Sequence, residues 1–148
     1  MHALRELDRG GTKLVIGSAL VETSPFGKVN QPSFVNAVAR ITTAMPPDAL
    51  MLHLHDIERQ AGRQRRMRWG PRTLDLDLLD YHGLIRRDQL KLPHPGIAER
   101  DFVLAPLTEI APNWRHPVTR RTAQAMRRLL SGFSRGGLVL DRLPETEF

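Results

Sequence analysis

Two aspartates, Asp75 and Asp77, stand two residues apart in the run "RWGPRTLDLDLLDY", Arg68 to Tyr81, which otherwise alternates leucines with polar residues. In an extended strand, residues i and i+2 share a face at about 6–7 Å between Cα atoms, so both carboxylates project together while Leu74, Leu76 and Leu78 point the other way. Aspartate is depleted in strands, and two like charges at about 6 Å repel by roughly 2–3 kcal/mol at an intermediate effective dielectric. A cation between them offsets that cost. The chain has no cysteine, so a metal must be held by oxygen or imidazole. A carboxylate pair suits Mg²⁺, which completes its shell with water and substrate phosphates. Arg63, Arg65, Arg68 and Arg72 in the adjoining "GRQRRMRWGPR" supply counter-charge for phosphate oxygens. Phosphoryl-type transfer depends on such positioning and charge stabilisation more than on a protein nucleophile. No "GxxxxGK[ST]" cradle occurs, so a nucleotide would be held by arginines and metal. The plain alternative is a solvent-exposed strand face with arginines added for solubility. DxD is short and permissive, and spacing alone does not separate the two.

The elements that must carry these residues follow from the surrounding pattern. Residues 1–9 suit a short helix, ended by Gly10-Gly11. Thr12 to Thr23 and Ser33 to Thr43 read as strands pairing antiparallel across the loop Ser24 to Pro32. On the second strand Val35, Ala37, Ala39 and Ile41 share one face, opposite Phe34, Asn36, Val38 and Arg40. A helix begins at Pro47, carries Leu50, Leu54, Ile57 and Ala61 at helical spacing, and ends at Gly62. His53 and His55, two apart on it, face different ways, which argues against a joint metal site. "RQRRMRWGPR" should be a mobile loop and Thr73 to Tyr81 a strand, followed by a hairpin through His82-Gly83, a helix near Thr119 to Leu130 and a tail strand near Leu138 to Leu140. Helices interleaved with short antiparallel connections predict an α+β sandwich.

With 148 residues, 41% of them hydrophobic, the chain has the size and apolar content of one domain. The lack of a long apolar run or secretory signal, with zero cysteines, predicts a cytoplasmic protein without a membrane partner. The net charge is +6, and of the 22 basic residues only Lys13, Lys28 and Lys91 are lysines. Such charge would suit nucleic acid. With aromatics at only 5% and no stacking or helix-turn-helix motif, small-molecule substrates are expected and no nucleic acid.

The segment "RWGPRTLDLDLL" resembles the signature of the 6-hydroxymethyl-7,8-dihydropterin pyrophosphokinases, folate-pathway enzymes that transfer pyrophosphate from ATP to a pterin alcohol. "ETSPFG" and "NQPSFVNAV" are similar to the family's pterin-loop region, "IERQAGRQR" to the end of its long helix and "LPHPGIAERDFVLAPLTEIAP" to its downstream block. The resemblance implies a ferredoxin-like sandwich with a mainly antiparallel sheet, and two Mg²⁺ ions, held by Asp75 and Asp77, that bridge the ATP phosphates and the hydroxymethyl oxygen. It implies Arg63 and Arg72 as catalytic arginines, with Arg65 and Arg68 closing over the triphosphate. His94 and Arg100 would bind phosphate and nucleotide, and His55 and Glu58 would border the nucleotide pocket. Thr23, Phe26 and Phe34 would lie around the pterin, with Asn36 bonding its edge and Trp69 and Phe102 sandwiching its ring. No covalent intermediate and no side-chain base is evident, and a folate-pathway partner enzyme is compatible with the resemblance.

Each of these residues also has an ordinary reading, Phe102 as core and Asn36 as a satisfied strand amide, whereas Trp69 has little core to join inside so many arginines. The family opens with a strand and a Gly-Ser-Asn turn; this chain starts within the helix that follows. The expectation is therefore a single, N-terminally short domain whose sheet is broken where an interior strand would stand. A misassigned start, a natural short form and a decayed paralogue each account for that. A non-catalytic pterin- or nucleotide-binding protein is the alternative function, and it would have no need of Asp75 and Asp77.

Overall fold

Gly10 and Gly11 adopt φ angles of 71° and 101°, a region L residues rarely enter, and reverse the chain between α1 (His2–Glu6) and β1 (Thr12–Gly17). A Cβ on Gly11 would also meet Met45 Cε, the flexible end of a side chain that can move aside, so the backbone angle rather than space is what requires glycine. The computed structural model describes residues 2–23, 34–64, 74–133 and 140–142. After β1 come β2 (Val21–Thr23), β3 (Phe34–Asn36), β4 (Ala39–Thr43), α2 (Pro47–Gln64), β5 (Arg86–Arg87), β6 (Lys91–Leu92), a 3-10 turn (Ile97–Glu99), α3 (Asp101–Ile110), α4 (Ala123–Phe133) and β7 (Leu140–Arg142). This is a mixed α/β fold in which every described strand pairing is antiparallel. The strands form three small sheets, β1-β4, β3-β2-β7 and β5-β6.

The expected antiparallel pairing of the first two strand regions is present, from Thr12↔Thr43 to Gly17↔Ala39 and from Val21↔Asn36 to Thr23↔Phe34. Each region is nevertheless two strands, not one. The break is built around Ser18, which is fully buried. Its N–H donates to the Val38 carbonyl at 2.8 Å, its Oγ accepts from the Val38 N–H at 2.9 Å, and its hydroxyl donates to the Ala19 carbonyl. A side chain thus replaces one rung of the ladder and leaves no buried polar group unmet. The kink also overturns the single-face expectation: Val38 is buried while Val35 is 49% exposed, and only Ala39 and Ile41 of the expected face pack against a core cluster.

Along α2 the buried stripe is Leu50, Leu54, Ile57 and Ala61, as its spacing requires. Gly62 does not end the helix, which runs on to Gln64; a glycine costs about 1 kcal/mol in a helix, and the packed stripe before it outweighs that. The expected strand Thr73 to Tyr81 is corrected more substantially. Leu74 to Asp80 forms no ladder among the described residues, although its burial still alternates, with the leucines half-buried and Asp75 and Asp77 exposed. Leu74, Leu76 and Leu78 pack against Leu50, Leu54 and Ile57 of α2. Among the described residues β4 pairs with β1 alone, and a cavity of about 800 Å³ is lined by both β4 and Leu74 to Asp80.

His82 and Gly83, both at positive φ, make the expected turn, closed by Leu84 N–H to the Tyr81 carbonyl at 2.9 Å. The hairpin itself lies further on, where Arg86 pairs with Leu92, because the chain before the turn has no ladder to extend. The last helix starts later than expected, at Ala123, since the Thr122 hydroxyl accepts the Ala125 N–H and caps it. The tail strand is β7. Ile97 and Leu104, fully buried, join Leu107, Ala123, Met126 and Val38 in a second core cluster. Close ion pairs brace the exterior: Arg127 to Asp101 at 2.8 Å, and Arg86 to Asp48 and to Asp88 at 2.6 Å each. The loop Ser24 to Pro32 and the segment "RQRRMRWGPR" after Gly62 fall, apart from its first two residues, outside the described residues.

Two stability outcomes follow. Leu104→Ala removes a wholly buried side chain between α3 and α4 and should cost about 2–5 kcal/mol in denaturant unfolding; a loss below 1 kcal/mol would mean the helices repack freely. His116 accepts at Nδ1 from the N–H groups of Val118 and Thr119, and burial lowers its pKa, with Asp80 pulling partly the other way. Its contribution to stability is complete above the ordinary histidine value of about 6.5 and is lost as pH falls through the lower folded value. His116→Asn keeps an acceptor without a titration, so its unfolding midpoint should depend less on pH below about 6.5.

Candidate active site

Helix α2 positions the acidic pair through one side chain. Glu58, half-buried on α2, accepts the Leu76 N–H at 3.0 Å, at the residue between Asp75 and Asp77. With the three leucines packed beneath, that bond holds the backbone extended without a neighbouring strand. On the far side the Leu79 carbonyl accepts the His94 N–H at 2.8 Å, which ties the same segment to the turn before α3.

Asp77 is half-exposed, and two basic groups face it: His94 Nε2 and Arg100 Nη1 each stand 3.9 Å from its Oδ2. Neither distance is a hydrogen bond. Arg100 is fixed by its backbone, which precedes α3 and whose carbonyl accepts the N–H groups of Val103 and Leu104. Its guanidinium carbon lies 5.9 Å from the Phe102 ring centroid. Asn36, Phe102, Asp75 and Asp77 all line the 800 Å³ cavity, together with core residues such as Leu50, Leu54, Leu74 and Leu76. Asp80 lines it as well. One Asp80 oxygen accepts Trp114 Nε1–H at 3.1 Å, while the other, Oδ1, is buried with no hydrogen-bond partner among the described residues.

The structure thus brings Asp75, Asp77, His94, Arg100, Asn36 and Phe102 to one region, with Glu58 behind the acidic pair. It does not bring His55, which is exposed on α2 and lines no part of the cavity. Arg63 belongs to α2, and Thr23 and Phe34 pair across β2 and β3. Phe26, Arg65, Arg68, Trp69 and Arg72 lie outside the described residues. Asp80 and Trp114 escaped sequence reasoning because Asp80 is odd in parity with Asp75 and Asp77, and its partner is 34 residues away.

Among the described residues no group of three or more metal-ligating side chains gathers. Two hard carboxylates on one exposed face nevertheless fit Mg²⁺, which takes one or two from protein and the rest from water and phosphate. Among the described residues, no helix is long and apolar enough to cross a membrane. Glu58→Ala should leave the Leu76 N–H without its acceptor, costing about 1–3 kcal/mol and speeding hydrogen exchange at that amide, while Glu58→Gln keeps most protection; equal exchange in all three proteins would show that the leucines alone hold the segment.

Exposed carboxylates beside an imidazole and a guanidinium, with an amide and a phenyl ring on the same cavity wall, bring groups of both charges and a ring face together. Comparison with known proteins adds to this. A family model described as 7,8-dihydro-6-hydroxymethylpterin-pyrophosphokinase (HPPK) matches residues 1–112, and the chain belongs to that family. It is 41% identical over 105 residues to 2-amino-4-hydroxy-6-hydroxymethyldihydropteridine pyrophosphokinase of Aquifex aeolicus, covering 70% of this chain and 66% of that protein. Against the protein of the same name from Haemophilus influenzae it is 46% identical over 101 residues, 68% of this chain and 63% of that one. It is also 41% identical over 111 residues to folic acid synthesis protein FOL1 of Dictyostelium discoideum, of which the match covers 17% and 74% of this chain. The matched region thus spans a little under two thirds of the two bacterial relatives and a small part of the longer Dictyostelium protein.

Proposed function

We propose that this chain is an ATP- and Mg²⁺-dependent pyrophosphokinase acting on 6-hydroxymethyl-7,8-dihydropterin, with a ferredoxin-like sandwich as the finer description of its fold. The observation that carries the reading is that Asp75, Asp77, Asn36 and Phe102 line one cavity, with His94 and Arg100 facing Asp77 from its rim. In the reaction the hydroxymethyl oxygen bonds to the β-phosphorus of ATP, the bond from that phosphorus to the α,β-bridging oxygen breaks, AMP leaves with that oxygen, and the hydroxyl proton passes to solvent.

Asp75 and Asp77 would hold the two Mg²⁺ ions. Bound there, Mg²⁺ supplies neutralisation of the charge on the attacking and leaving oxygens. His94 and Arg100 present N–H donors to phosphate oxygens on the same side, and the planar guanidinium suits them in bidentate fashion. Arg63 and Arg72 are proposed as further phosphate-neutralising groups, with Arg65 and Arg68 over the triphosphate. The Asn36 amide both donates and accepts, as the polar edge of a pterin requires. Phe102 offers a ring face for stacking and Trp69 the opposing one. Glu58 and His55 are proposed at the border of the nucleotide pocket; Glu58 also holds the acidic segment by accepting the Leu76 N–H, and His55 is exposed on α2.

The test is pterin-dependent AMP formation from ATP and Mg²⁺ by the 148-residue chain, beside Asp77→Ala. Turnover by the wild-type chain is expected, with a loss of at least about 100-fold in Asp77→Ala and an unchanged far-UV spectrum. Near-normal activity in the variant would rule out the carboxylate platform. Pterin binding by the wild type without AMP formation would replace catalysis with a non-catalytic binding role.

A further inference from the structure

Between His94 and Arg100 lies a residue with no side chain to bring to the reaction, and we propose that it holds both of them: Gly96 is a positioning residue for the two basic groups that face Asp77. Its functional consequence rests on the reading above; its geometric part does not.

The Gly96 N–H donates to His94 Nδ1 at 3.0 Å. A neutral imidazole that accepts at Nδ1 carries its proton on Nε2, so this bond aims an Nε2–H donor toward Asp77 Oδ2, 3.9 Å away. On Gly96's other side the Arg100 guanidinium lies against the bare Cα. A Cβ there would stand 2.9 Å from Arg100 Nε, 3.0 Å from Cζ and 3.3 Å from Nη2, and one of those atoms would have to move. Backbone freedom is not the reason for glycine at this position: φ of −91° and ψ of 1° are open to alanine. What glycine supplies is volume. The atoms a Cβ would meet are the far end of a side chain that is 42% exposed, so the guanidinium is what yields, while the Arg100 backbone stays in place: its N–H donates to the Ile97 carbonyl and its own carbonyl accepts from Val103 and Leu104. Displacing the guanidinium therefore changes its position relative to Asp77, while the N–H bond to His94 survives the addition of a methyl group.

Gly96→Ala, Arg100→Ala and the double variant form a cycle that isolates this contact. The expected result is that Gly96→Ala lowers kcat/KM for ATP by about tenfold in the wild-type background and by less than about twofold in the Arg100→Ala background. Any loss of melting temperature in Gly96→Ala should be recovered in the double variant, where the clash is gone. Without substrates, the Arg100 Nε–H signal in a ¹⁵N-edited spectrum, assigned by its loss in Arg100→Ala, should shift in Gly96→Ala. An unmoved signal, or equal losses in both backgrounds, overturns the proposal. A shifted signal in a protein whose wild type forms no AMP leaves the positioning role standing and refutes the pyrophosphokinase reading instead.

Discussion

Everything at the site depends on keeping Leu74 to Asp80 extended without a ladder. A β-strand is ordinarily held by bonds to neighbouring backbones, and this segment has none of that kind among the described residues apart from His94 N–H to the Leu79 carbonyl. Its hold comes from below, through leucines on α2, and from the side, through a carboxylate that accepts one backbone N–H. Both come from α2, so the helix and not a sheet sets the direction of Asp75 and Asp77. The leucine-aspartate alternation is then a consequence of burying one face, and it survives the loss of strand pairing because side-chain parity belongs to extended backbone itself.

That separation explains which parts of the molecule were legible in the sequence. Patterns set by burial were: the stripe of Leu50, Leu54, Ile57 and Ala61, and the outward parity of Asp75 and Asp77, follow from which residues avoid water. Patterns set by hydrogen-bond partners were not. The alternation over Thr73 to Tyr81 predicts a strand, but nothing in that run reports whether a neighbour stands beside it. The kink at Ser18 was hidden for the same reason, since a serine in an apolar run does not announce a bond to Val38, 20 residues on. Among site residues, those carrying charge or a ring could be singled out by type. Gly96 and Asp80 could not, because one acts by having no Cβ and the other through a distant tryptophan.

The broken sheet and the cavity share their segments. The cavity lined by both β4 and Leu74 to Asp80 also carries residues that the proposed function needs, Asn36 at the end of β3 and Asp75 and Asp77 on the acidic segment. The Oδ1 of Asp80, which lines the same cavity, is buried with no hydrogen-bond partner among the described residues.

Ion-pair distances separate the bracing groups from those at the site. Arg127 and Asp101, or Arg86 with Asp48 and Asp88, meet at 2.6–2.8 Å and satisfy each other. His94 and Arg100 stop 3.9 Å short of Asp77, although nothing in their chemistry prevents a closer approach. A closed pair would occupy the Asp77 oxygen and the guanidinium donors together, leaving neither for a third charge. Held apart, with Asp77 half-exposed, the carboxylate keeps lone pairs for a cation and the basic groups keep donors for an anion. A metal-bound polyphosphate offers both charges in one ligand. Arg100 lies against the bare Cα of Gly96, and His94 Nδ1 accepts the Gly96 N–H, so the placement of both basic groups is a matter of backbone as much as of charge.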